Sequence, residues 1–103
     1  MVSATKRSRL FYHGTDVEVM LGDIVLLKRL IRRNLKGTVV YIPGISPKHP
    51  DIEDEYGPQW AIELEDGSVL LMVYWPEGSR PKNNIKFIER GEPKSYPVTK
   101  RLY

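Results

Sequence analysis

The stretch 59-QWAIELEDGSVLLMVYW-75 decides the fold. Within it Trp60, Ile62 and Leu64 alternate with Gln59, Ala61 and Glu63, the period of two that turns one set of side chains to a core and the other outward. Glu65-Asp66-Gly67-Ser68 then sets Asp-Gly at the centre of a turn, and residues 69–75 return as an antiparallel partner. The stretch reads as a β-hairpin, and its neighbours read the same way.

On the N-terminal side, residues 38–42 (TVVYI) form a strand stopped by Pro43-Gly44, because proline lacks the N–H a ladder needs. Before it, residues 17–21 lead through Gly22-Asp23 into a β-branched and leucine-rich run at 23–31, read as the first main strand, and residues 32–37 (RRNLKG) are the polar turn between the two. On the C-terminal side, residues 76–83 are a turn-rich loop and residues 84–89 (NIKFIE) are the last strand. No window offers a long apolar stripe at helical spacing. The reading is all-β. Residues 1–9 form a basic N-terminal arm, 10–90 the ordered domain, and 91–103, with two prolines and three basic side chains, a C-terminal arm.

Between the second and third strands, residues 43–58 hold four prolines, two glycines and four acids, a composition that suits neither helix nor central strand. Loops this long are uncommon in compact domains and are often the functional ones.

The totals narrow the function. A chain of 103 residues, 41% hydrophobic and 28% charged, accommodates one domain, and no apolar run approaches the roughly 18 to 20 residues of a membrane span. The absence of cysteine removes disulfides, thiolate zinc sites and cysteine nucleophiles, and with no apolar stretch of signal-peptide length it places the chain in the cytoplasm as an expectation. The net charge of +3 is uneven: nine Lys or Arg face three Asp or Glu in residues 1–50, and seven face ten in residues 51–103. A positive front half attracts phosphate or an acidic protein surface alike.

The segments Gly22-Asp23-Ile24-Val25 and Lys36-Gly37-Thr38-Val39-Val40, with five short strands and the Asp-Gly hairpin, resemble the KOW and Tudor-like branch of the SH3-like barrels. The resemblance covers residues 17–90 and implies a small five-stranded SH3-like barrel with a long loop between strands 2 and 3 and irregular terminal arms. Such barrels host RNA binding, methyl-lysine reading and peptide docking, so the resemblance carries architecture more than activity.

Candidate chemistry divides as follows. His13 and His49 have no recognisable nucleophile or acid–base partner, so no catalytic residue is assigned. His49 with Asp51, Glu53, Asp54 and Glu55 lacks the spacing of a calcium loop, so no metal or other cofactor is expected. Tyr41, Tyr56, Trp60, Tyr74 and Trp75 supply rings for a cage around a methylated side chain, but Trp60 is in phase with the core. Lys28, Arg29, Arg32, Arg33 and Lys36 cluster around the first hairpin, with Lys6, Arg7 and Arg9 in the arm, and form the candidate nucleic-acid surface.

The leading expectation is recognition of one protein partner by the long loop, through Ile45, His49, Ile52, Glu53, Asp54, Glu55 and Tyr56, where apolar anchors sit among charges. A small, non-enzymatic domain of this kind looks like the bacterial immunity proteins that neutralise toxins. The alternative is a KOW-like, RNA- or ribosome-associated module. The chain is expected as a monomer or as a dimer paired through an open strand edge.

Overall fold

The computed structural model describes residues 10–53, 59–73 and 84–102, with Glu53 and Val73 as backbone only. Among the described residues, five strands and one helical turn follow one another: β1 (Ile24–Leu27), β2 (Leu35–Tyr41), α1 (Pro50–Glu53), β3 (Gln59–Leu64), β4 (Val69–Val73) and β5 (Ile85–Glu89). All strand pairs are antiparallel, in one sheet of order β4-β3-β2-β1-β5. β4 and β5 stand at opposite ends of the sheet, which is therefore not closed.

The deciding hairpin forms as the sequence dictates. Trp60, Ile62 and Leu64 are buried, and Trp60 pairs with Met72 and Ile62 with Leu70. At the turn, Gly67 N–H donates to Leu64 O at 2.9 Å. The Ser68 hydroxyl and N–H both donate to Asp66 Oδ1, at 2.6 and 3.0 Å, and hold that carboxyl below its ordinary value.

Four expectations are corrected. The first strand ends at Leu27, not residue 31, and β2 begins at Leu35, so the turn is residues 28–34. Its closure is local: Arg29 N–H donates to Asn34 Oδ1 at 3.1 Å, and the Arg29 guanidinium donates twice to Arg33 O. Those bonds satisfy groups that a longer ladder would have paired, and they leave Leu30 and Ile31 in solvent.

The long loop is not wholly irregular. Pro50 opens the single turn α1, at the position where its fixed φ suits a helix and its missing N–H costs nothing.

The segment read as a C-terminal arm instead packs on the sheet through residue 102. β2 carries a bulge between Val39 and Tyr41, and the Val40 carbonyl there accepts the Tyr96 N–H at 2.7 Å. Tyr96 is buried, and Ala61, expected to face solvent, lies fully covered in the same cluster.

Two apolar layers result. Beneath the sheet lie Val25, Leu35, Val39, Trp60, Ile62, Leu64 and Ile85, closed by Leu10, Tyr12, Val19 and Ile42. Above one half of it lie Val40, Tyr41, Ile52, Ala61 and Tyr96, with Val69, Leu71 and Leu102 packed against them. The glycines of the two sequence signatures are steric necessities. A Cβ on Gly37 would stand 2.5 Å from Ile62 Cγ2 and 2.9 Å from Leu64 Cδ2, and Gly22, at φ +90°, would drive a Cβ into the Glu92 carbonyl.

Candidate functional site

The buried polar groups tie the chain together. Asp23 is fully buried where β1 begins; its carboxylate accepts from Tyr12 Oη at 2.7 Å, from the Met20 N–H at 2.9 Å and from Arg90 Nη1 at 2.8 and 3.0 Å. Burial, and then the Asp23 hydrogen bond, push the Tyr12 phenol far above its ordinary value, so it remains a donor. Every oxygen of this carboxylate is spent on joining residues 10–20, β1 and the end of β5, which is a structural task.

His49 is spent in the same way. Its Nδ1 accepts the Asp51 N–H at 3.1 Å, so Nε2 carries the proton and donates to Lys100 O at 2.8 Å, while its own N–H donates to Tyr41 Oη at 3.0 Å. The ring stacks obliquely on Tyr96 at 5.4 Å. Asp51 completes the clasp by accepting the Leu102 N–H at 3.0 Å, with Arg101 Nε at 3.7 Å. Both ring nitrogens hold backbone, which leaves no free nitrogen for proton transfer.

That clasp redraws the expected partner surface. His49 and Ile52 are each 1% exposed and belong to the interior under the C-terminal segment, and Ile45 packs against the lower core. Residues 96–102 cover His49 and Ile52, a contact between segments about fifty positions apart that no local pattern announces. The Glu53 side chain, Asp54, Glu55 and Tyr56 lie outside the described residues, as do Tyr74, Trp75, Lys6, Arg7 and Arg9. Of the proposed cage rings that are described, Tyr41 and Trp60 are buried in different layers. Among the described residues no group of three His, Cys, Asp or Glu is arranged to hold a metal ion.

Two surfaces are open among the described residues. The first is the half of the upper sheet face beyond the cover of residues 96–102. Strand register sets two rows across it: Glu89, Ile24, Thr38 and Glu63 in one, Lys86, Leu26 and Lys36 in the other. Ile24 and Leu26 alternate with the buried Val25, so they face this side, half-buried. A concavity of ≈ 310 Å³ is lined by Ile24, Lys36, Gly37, Thr38, Glu63, Leu64 and Glu65. Lys94 and Lys100 reach Glu63 at 3.5 and 3.6 Å and mark the border with the covered half.

The second surface is the β1–β2 hairpin. It brings together the basic residues expected there: Lys28, Arg32, Arg33 and Lys36 are exposed and Arg29 is half-buried. Glu65 meets them at the base, with Oε2 accepting the Lys36 N–H at 2.9 Å and Oε1 at 3.5 Å from Arg33. At the tip Leu30 and Ile31 are 104% and 97% exposed. Read as strand interior, this pair gave the sequence no sign of its exposure.

Neither protein-family models nor curated proteins nor solved structures yield a match to this chain.

Proposed function

We propose that this protein is a non-enzymatic, cytoplasmic binding protein that recognises one protein partner stoichiometrically through the open half of its upper sheet face. The observation that carries this reading is the composition of that face: an apolar floor of Ile24 and Leu26 bordered by Lys36 and Lys86 and by Glu63, Glu65 and Glu89. A patch with apolar anchors and a rim of both charges suits a single complementary protein, since the rim selects the partner and the floor is desolvated on binding.

The strand order, with β5 beside β1 and β2 to β4 following as a meander, is that of a five-stranded SH3-like barrel, the architecture we favour. Within it, an immunity protein occupying a bacterial toxin is the specific form of the proposal.

The test is affinity capture from the native cell with the wild-type chain and with Leu26→Asp. One protein that resists high-salt washing and is lost with Leu26→Asp is the expected result. Recovery of RNA without a protein, or of the same protein by both chains, would sink the reading.

One observation favours a second reading. The hairpin sets five cations against a single carboxylate among the described residues, which suits an RNA-binding module acting through Lys28, Arg29, Arg32, Arg33 and Lys36. RNA affinity would then fall steeply with salt and collapse when the four most exposed cations are neutralised.

A further inference from the structure

We infer that the tip of the β1–β2 hairpin is a lipid-contact element: Leu30 and Ile31 enter the headgroup–acyl boundary of an anionic bilayer while Lys28, Arg32 and Arg33 hold the surrounding phosphates and carboxylates. This contact is separate from the protein-binding face proposed above and does not depend on it.

Two adjacent large aliphatic side chains held almost wholly in water are unfavourable in the free protein, and the described fold buries neither. The loop presents them by construction. Arg29 donates through Nε and Nη2 to Arg33 O at 2.9 and 2.6 Å, Asn34 Oδ1 accepts the Arg29 N–H, and Glu65 ties Arg33 and Lys36 at the base. A braced tip loses little conformational entropy when it inserts.

The order of residues matters as much as their kind. Lys28-Arg29 precedes the aliphatic pair and Arg32-Arg33 follows it, so cations flank the apolar point on both sides. Apolar insertion combined with attraction to anionic lipid is the pairing that holds peripheral proteins at a membrane, and the cytoplasmic leaflet carries the negative surface potential that it requires.

Other occupants fit less well. Residues 28–36 contain no aromatic ring on which a base could stack. A protein interface needs roughly 800 Å² from each partner, and a convex two-residue tip supplies little of that. A bilayer accepts a convex tip without demanding a matching shape.

The experiment is co-sedimentation of the full chain with phosphatidylcholine vesicles containing phosphatidylserine, beside vesicles of phosphatidylcholine alone. The wild type should pellet with the anionic vesicles and not the neutral ones. It should be released when salt rises from about 0.1 M to about 1 M, as the screening length falls from about 10 Å to about 3 Å. The double variant Leu30→Ser/Ile31→Ser should partition at least about tenfold more weakly, because its apolar insertion is gone while its charges remain. Both substitutions lie in solvent, and an unchanged thermal melt shows that the fold survives.

Failure of the wild type to pellet with anionic vesicles overturns the inference, and so does equal pelleting of the double variant. RNA bound equally by both chains, without vesicle binding, overturns it in favour of the nucleic-acid reading. Leu26→Asp should leave vesicle binding intact, which separates failure here from failure of the protein-binding proposal.

Discussion

The two halves of the upper sheet face have the same strands beneath them and different fates. Over β2, β3 and β4, the chain returns through residues 96–102 and α1 to bury Tyr41, Ile52 and Ala61, and fastens the cover with the His49 clasp. Over β1, β2 and the inner edge of β5, the rows around Ile24 and Leu26 receive no such cover from the described residues. On the covered half the register shift between Val39 and Tyr41 breaks the ladder, and the Val40 carbonyl there accepts the Tyr96 N–H. One half of the face is spent on stability, and the other is the half proposed above for recognition.

The comparison is broken most severely at its cover. Tyr96→Ala removes a buried ring that packs on His49 and takes its place between Val40 and Lys100, and should cost about 3–4 kcal/mol in urea denaturation. A loss under about 0.5 kcal/mol would mean that the C-terminal segment is not part of the folded unit, and the two halves would then be equivalent.

A smaller effect tests the layer that both halves share. Gly37→Ala should cost about 1–3 kcal/mol by overpacking against Ile62 and Leu64, with no change in exposure of either half, as measured by the denaturation midpoint at constant slope. An unchanged midpoint would show that the lower core has room to spare.

The smallest effect on stability belongs to the open half. Leu26→Ser should lower it by less than about 1 kcal/mol, because the side chain is only half-buried and borders no described cover. The same substitution should weaken capture of the protein partner, and that contrast between slight destabilisation and lost binding is the signature of a recognition surface. A destabilisation as large as that of Tyr96→Ala would place Leu26 in a core and remove the contrast.

How much of this was legible follows from the range of each interaction. The alternation through Trp60, Ile62 and Leu64, the Asp-Gly turn and the stop at Pro43-Gly44 are local, and each formed where the residues place it. The run at 23–31 misled because β propensity continues through Leu30 and Ile31, while the side chains of Arg29 and Asn34 close a turn that the apolar pattern does not record. Ile52 and His49 misled for the opposite reason. A loop rich in proline and acids looks exposed until a distant segment covers it, and the only hint in the sequence was that Tyr96 and Leu102 stand as isolated apolar residues in a polar tail.

The sequence by itself therefore determined the all-β class, the approximate strand positions, the basic hairpin and the absence of cysteine chemistry, because each depends on residues within a few positions of one another. Only the tertiary structure decided which face is covered, that His49 and Asp23 are fastenings, and that Leu30 and Ile31 stand in solvent. The first two depend on contacts between residues far apart in the sequence, as in Asp23 with Arg90, 67 positions away, whose geometry is fixed when the whole chain has closed on itself. The third depends on side chains of Arg29 and Asn34 that close the turn where the apolar pattern continues.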